Sequence, residues 1–282
     1  MSECKEIERS IITTYRRRIW TKFIRAVKEY ELVLPGDSVC VCISGGKDSM
    51  LLAKLFQELK RHSDFGFEVK YLVMDPGYNP LNRQVIERNL DILQIPAEIR
   101  ETNIFDVANV QTKSPCYLCA RMRRGALYSA AKELGCNKIA LGHHYDDVIE
   151  TVLMSMFHAG SFQTMLPKLR SSNFEGMELI RPLYLIREQD VIAWKNYNGL
   201  NFIQCACRFT ENIERDGEEG TDSQRYKTKH LIKRLEEENP LIAKNIFSAA
   251  ENVNLDKVAG YKSHGKRYSF TEIYNHSTER EE

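Results

Sequence analysis

The sequence predicts an α/β fold, a doubly wound parallel sheet with an N-terminal helix and a helical C-terminal extension. Three observations carry this. Short continuous apolar runs such as Val39-Cys40-Val41-Cys42-Ile43 read as strands buried on both faces. Stretches with apolar residues at helical spacing alternate with them. Turn residues, among them Pro35-Gly36-Asp37 and Asp75-Pro76-Gly77, punctuate the boundaries. Strands alternating with helices imply right-handed crossovers and a parallel sheet.

Taken in order, residues 10–31 are predicted as one helix, from Ile11, Ile12, Tyr15, Ile19, Phe23 and Val27. After the Val39-to-Ile43 strand, a helix is expected over 48–61, with Leu51, Leu52, Leu55, Phe56 and Leu59 on its core face. Further strands are expected at 68–74, 97–102, 138–141 and 179–183, and helices at 82–93, 119–134, 147–158 and 188–197. The stretch 221–254 is rich in helix formers, 210–222 reads as an acidic linker, and the tail from Gly260 as loosely held. This divides the chain into an N-terminal helical segment (1–36), a nucleotide-binding catalytic domain (37–209), and a linker, helical extension and tail (210–282).

With 43% hydrophobic and 28% charged residues the composition is that of an ordinary globular protein. No apolar run approaches the ~20 residues that span a bilayer, and no apolar signal core follows the first residues. No membrane association and a cytoplasmic location are therefore expected. The net charge of +1 excludes a strong whole-molecule field, but the basic residues are clustered. Arg16, Arg17, Arg18, Lys22, Arg25 and Lys28 form one cluster, Arg121, Arg123 and Arg124 a second, and Arg225, Lys227, Lys229, Lys233 and Arg234 a third. Each reads as a solvated helix face or as part of an RNA-binding surface.

Eight cysteines in such a chain do not suggest a disulfide framework. Cys40 and Cys42 fit a buried strand, Cys136 a helix-to-strand turn, and Cys4 a frayed terminus. Cys116, Cys119, Cys205 and Cys207 remain. The spacing Cys116-x-x-Cys119 at a helix start suits two thiolates on one soft metal or cluster, a redox pair, or two unrelated thiols. Cys205-Ala206-Cys207 nominally completes a zinc set, although C-x-C is not the usual zinc spacing.

The strongest motif is Ser44-Gly45-Gly46-Lys47-Asp48-Ser49, between a buried strand and a helix. Two glycines let the backbone turn sharply, and the helix start adds unpaired amides and a positive dipole end. With the hydroxyls of Ser44 and Ser49 and the Lys47 ammonium, the loop suits a polyphosphate. It is neither a Walker loop nor G-x-G-x-x-G; it matches the SGGxDS loop of ATP pyrophosphatases, which cleave ATP between the α and β phosphates. Asp75, Asp146 and Asp147 follow other strands, at the ends where parallel sheets bind ligands. Carboxylates there suit Mg²⁺, while helix capping is the competing role of Asp146 and Asp147. Gly142 and His143 precede them; His143 and His144 are also compatible with strand-end packing.

Together SGGKDS, PCYLCARMRRGAL, LGHHYDD, IRPL and Phe202-Ile203-Gln204-Cys205 resemble the tRNA 2-thiocytidine synthetase family of PP-loop ATP pyrophosphatases, from about residue 15 to about residue 209. The resemblance implies ATP, Mg²⁺ and a [4Fe-4S] cluster held by Cys116, Cys119 and Cys205, one iron being left without a protein ligand to carry sulfide. It implies that Lys47, Asp48, Asp147 and Cys205 are catalytic, and that Ser44, Gly45, Gly46, Lys47, Asp48, Ser49, Asp75, Gly142, His143 and Asp146 bind the cofactor. The reaction implied is attack of a pyrimidine O2 on the α-phosphorus, then replacement of the adenylated oxygen by sulfur. The implied substrate is cytidine 32 of tRNA, and the partners are tRNA and a sulfur donor, a cysteine desulfurase or inorganic sulfide. The family usually continues with CxxC at its later cysteine site, so Cys207 is a rival of Cys205 here. Two other functions stay open at this point: an adenylating enzyme acting on another nucleoside or small molecule, and a zinc-stapled nucleotide- or RNA-binding module. The apolar N-terminal helix beside an open sheet suggests a homodimer.

Overall fold

The computed structural model describes residues 3–109, 115–203 and 224–278. Strands β1 (Ser38–Ile43), β2 (Glu68–Asp75), β3 (Ala97–Glu101), β4 (Lys138–Ala140), β5 (Lys168–Arg170) and β6 (Glu178–Ile180) form one sheet in the order β3-β2-β1-β4-β6-β5. The first five in that order are parallel. The sheet is thus doubly wound, and the order reverses between β1 and β4, which places a crevice at their C-terminal ends.

Each strand face has its own cover. The alternation along β1 sends Val39, Val41 and Ile43 into the larger core and Cys40 and Cys42 into a smaller one. On the larger side lie α3 (Lys47–His62), α4 (Pro80–Ile92), α7 (Tyr145–Ala159) and α8 (Glu188–Tyr197). The smaller core is closed by Tyr128, Ala130 and Ala131 of α6 (Pro115–Glu133). A short α5 (Ile104–Asn109), not foreseen, leads out of β3.

Three sequence expectations are corrected by these elements. The single N-terminal helix is instead α1 (Glu3–Ile12), a π-turn over Arg16–Trp20, and α2 (Thr21–Glu29). Ser10 and Thr13 hydroxyls bond back to the carbonyls of Ile7 and Arg9, and Tyr15 N reaches Ser10 O at 2.9 Å. Such local side-chain bonds compete with the regular ladder. Cys4, expected in a frayed terminus, is buried, its thiol 3.4 Å from Leu93 O. It belongs to a cluster in which the fully buried Lys54 ammonium meets Glu8 at 2.6 Å and Leu93 O at 2.9 Å. The expected strand 179–183 stops at Ile180, because Arg181-Pro182 ends the ladder. Its outer neighbour β5 is antiparallel, so the parallel sheet ends in a mixed edge.

Past the described gap, α9 (Gln224–Glu238) and α10 (Ile242–Glu251) are the expected helical extension. The tail is not loose throughout. Strands β7 (Gly260–Ser263) and β8 (Lys266–Ser269) pair across His264-Gly265, both at positive φ, and α11 (Phe270–Thr278) follows. Tyr261 and Tyr268 stack across this hairpin, 4.7 Å apart. The apolar stripe of the N-terminal segment, from Ile7 to Val27, packs in the chain's own core with Ile232, Ala243 and Phe247 of α9 and α10. The linker predicted at 210–222 lies outside the described residues.

Candidate active site

The crevice at the switch point is a cleft of about 1510 Å³. Its floor is the loop between β1 and α3. Gly45 takes φ +85°, and a side chain there would lie 2.6 Å from Ile86 Cγ1 and 2.7 Å from Ile203 Cδ1. Only glycine fits that turn. Ser49 Oγ accepts from Ser44 N at 3.1 Å and donates to Gly46 O at 2.9 Å, which closes the loop on itself. At the end of β4, Gly142 approaches so closely that a Cβ would sit 3.1 Å from the backbone of Asp48 and Ser49. The two strand ends are therefore pressed together around the start of α3.

Among the described residues the cleft is lined by eight cationic side chains against four carboxylates. Lys47, Arg121, Arg123, Arg124, Arg170, Arg181, Arg225 and Lys229 supply the first set, and Asp48, Asp147, Glu150 and Glu188 the second. Of the basic clusters seen in the sequence, the second thus turns into the cleft whole, and the third sends in Arg225 and Lys229. The first, on the N-terminal segment, is exposed at Arg16, Arg17, Arg18, Arg25 and Lys28, with Lys22 half-buried. Three residues lining the cleft each carry a buried polar atom with no hydrogen-bond partner among the described residues: Asp48 Oδ1, His143 Nδ1 and Arg181 Nε. Desolvation of such groups is costly unless something pairs them, so the site is built for a polar ligand.

The expected acidic residues separate into distinct tasks. Asp147 completes a capping box at the start of α7, in which His144 N donates to Asp147 Oδ2 at 2.9 Å. Its other oxygen faces the cleft and takes Arg225 Nη1 at 2.8 Å. Asp146 turns away to Arg187 Nε, 3.0 Å, and accepts from Glu188 N at 2.6 Å. Asp75 Oδ1 accepts from Gly77 N and Tyr78 N, and its Oδ2 pairs with Arg83 at 2.7 Å. Asp146 and Asp75 therefore have both oxygens engaged within the fold. Lys47 is within 3.0 Å of both Asp48 Oδ2 and Glu188 Oε1.

Burial, helped by the charges of Arg181, Arg225 and His144, pushes His143 down to about 4, so its ring is a neutral partner. Burial likewise lowers Arg181 to about 10. For Glu188 burial works the other way, yet the hydrogen bond from Lys229 and the charges of Lys47 and Lys229 bring its carboxyl down to about 2. Glu150 shows the reverse balance: burial and the Asp147 charge outweigh Arg225 and raise it to about 7. The folded chain thus holds a proton on Glu150 between about 4.5 and about 7 that an unfolded chain has released. Stability is fully present below that window and falls as pH rises through it. Melting temperatures of wild type and Glu150→Gln should therefore diverge in favour of the variant between about pH 5 and about pH 8. A gap that does not change with pH would remove Glu150 from this account.

The cysteines are only partly described. Cys116 and Cys119 both lie near the start of α6, three residues apart in the chain. Cys119 is half-buried and packs against the larger core, as do Phe202 and Ile203. Cys205 and Cys207 lie outside the described residues. The chain before them reaches the loop, since Ile203 touches both glycines there. Among the described residues no three His, Cys, Asp or Glu side chains converge as a metal site, and no helix is long and apolar enough to cross a membrane. Sequence reasoning did not single out Glu150, Arg187 or Glu188, whose roles depend on partners from distant segments. Arg181 stood inside the IRPL string without a role of its own.

Residues 17–216 match the PP-loop domain family. Two relatives are tRNA-cytidine(32) 2-sulfurtransferases. That of Citrifermentans bemidjiense is 34% identical over 241 residues, covering 84% of this chain and 91% of the relative. That of Geotalea uraniireducens is 34% identical over 251 residues, covering 88% and 94%. Among solved structures, the U34-tRNA thiolase NcsA from Methanococcus maripaludis with its [4Fe-4S] cluster superposes with a TM-score of 0.65 at 19% identity, covering 92% of this chain and 87% of that one. At that identity the likeness is one of fold. Loop, strand order and relatives agree: the chain belongs to the PP-loop family, with the tRNA-cytidine(32) 2-sulfurtransferases.

Proposed function

We propose that this chain is an ATP-dependent tRNA sulfurtransferase, which adenylates O2 of cytidine 32 and replaces that oxygen with sulfur. The observation that carries the reading is that Asp48, His143 and Arg181, which line one cleft above the SGGKDS loop, each hold a buried polar atom unpartnered among the described residues. Relatives sharing about a third of its residues are named for this reaction.

The loop amides, the start of α3 and Lys47 receive the polyphosphate. As O2 attacks the α-phosphorus, charge moves onto the leaving pyrophosphate, and Lys47 is the group placed to neutralise it. Asp48 and Asp147 are the carboxylates that would hold Mg²⁺, hard oxygen donors at the mouth of the loop. Arg121, Arg123 and Arg124, on the helix of Cys119, line the same cleft and suit phosphates of ATP or RNA. A [4Fe-4S] cluster fits the donor set as far as it is described, with two cysteines near the start of one helix and Ile203 against the loop two residues before Cys205. When bound by Cys116, Cys119 and Cys205, it would supply sulfide to the activated base. The sulfur comes to it from a cysteine desulfurase or inorganic sulfide.

Nucleoside profiles of tRNA from cells with and without this protein test the reading. 2-Thiocytidine should vanish without it and return on complementation. Unchanged 2-thiocytidine would reject the substrate.

A further inference from the structure

Glu188 and Lys229 have no part in the sequence motifs, yet Glu188 meets the loop lysine and Lys229 meets Glu188. Glu188 is the first residue of α8, and its backbone N–H is fixed by Asp146 Oδ2 at 2.6 Å. Its carboxylate bridges two ammonium groups. Oε1 lies 3.0 Å from Lys47 Nζ, and Oε2 bonds Lys229 Nζ from α9. One turn earlier on the same helix face, Arg225 reaches Asp147 and Glu150 at 2.8 and 3.0 Å. The helix that follows the Cys205 segment thus lays two cations across the cleft. All six residues of the two networks, Lys47, Glu188, Lys229, Arg225, Asp147 and Glu150, line it.

An anion bridging two ammonium groups beside a helix start is the arrangement a phosphate would adopt there. A carboxylate carries less charge and fewer acceptor oxygens than a pyrophosphate group. A polyphosphate entering the loop therefore displaces it on favourable terms, while Lys47 and Lys229 remain in reach. We propose that Glu188 is an intramolecular stand-in for the polyphosphate, and that Lys229 is a phosphate-binding residue of the same site. This rests on the ATP reading above and extends it to a residue outside the SGGKDS loop.

The proposal sets opposite signs for two neighbours, which a purely structural ion pair would not do. Removing Lys229 takes away a phosphate ligand; neutralising Glu188 takes away a competitor. Calorimetric titration of the full chain with inorganic pyrophosphate, ATP and AMP reads both. Lys229→Met should weaken pyrophosphate about tenfold, about 1.4 kcal/mol, and leave AMP within about twofold. Lys229→Arg should restore binding to within about threefold, and Glu188→Gln should tighten it by about threefold or more. Pyrophosphate affinity unchanged in Lys229→Met, or weakened in Glu188→Gln, would overturn the proposal. So would a Lys229→Met protein that keeps pyrophosphate and loses tRNA in filter binding, since the cation would then serve RNA phosphates. A wild-type chain that binds neither pyrophosphate nor ATP would sink the ATP reading itself, whereas normal wild-type binding with indifferent variants sinks this inference alone.

Discussion

Lys47→Ala should lower ATP-dependent pyrophosphate release by about a thousandfold while the folded structure survives. The magnitude follows from what the ammonium faces. It is half-buried, at the first position of α3, and within 3.0 Å of two carboxylates. Burial works against the charge, but Asp48 and Glu188 raise its affinity for the proton, so it stays cationic throughout the neutral range. A fixed cation in a partly water-excluded cleft stabilises developing phosphate charge far more than one in solvent. Pyrophosphate release, measured with tRNA present, should fall with little change in melting temperature. A loss below about tenfold would show that the loop amides and the neighbouring arginines suffice.

The second large effect concerns the thiols. Cys205→Ser should abolish the brown chromophore of anaerobically purified protein while ATP binding persists. The structural grounds lie on either side of the cysteine. Ile203 is against Gly45 and Gly46, and α9 resumes at Gln224 with Arg225 already in the cleft. The described residues on both sides of that cysteine therefore sit at the active site. Iron and sulfide content should drop to background in Cys116→Ser and Cys119→Ser as well. If Cys207→Ser loses the cluster and Cys205→Ser keeps it, the third ligand is misassigned. A colourless zinc protein would reject the cluster outright.

What the chain revealed before folding was local, and what it concealed was relational. The β1 run, the glycines at 45 and 142 and the helix after Pro115 all announce themselves by spacing or composition within a few residues. Asp147 was legible as either a capping or a site residue; one of its oxygens caps α7 and the other pairs with Arg225 in the cleft. Glu188 carries no local mark. It matters because Asp146 holds its backbone and because Lys47 and Lys229 approach from segments far away in sequence. Arg225 and Lys229 were visible as charges, but a helix face alone does not say which acids it will meet. Strand β5 was hidden by its three-residue length and two basic side chains, which suit an edge. The β7–β8 hairpin was hidden by polar composition, although Tyr261 and Tyr268 alternate as a half-covered ribbon requires.

The unequal cover of the two sheet faces has a dynamic consequence. Helix α3, which follows the phosphate loop, is anchored by seven residues in the larger core. Helix α6, which begins with Cys116 and Cys119, is anchored among the described residues by Tyr128, Ala130 and Ala131, all in its C-terminal half. Elements with few buried contacts open at lower free energy than those at the centre of a core. Helix α6 joins the two cores, since Cys119 packs against the larger one while Tyr128, Ala130 and Ala131 sit in the smaller. Backbone amides of α3 should therefore exchange with solvent more slowly than those in the C-terminal half of α6, so the nucleotide cradle outlasts the smaller core when the molecule breathes.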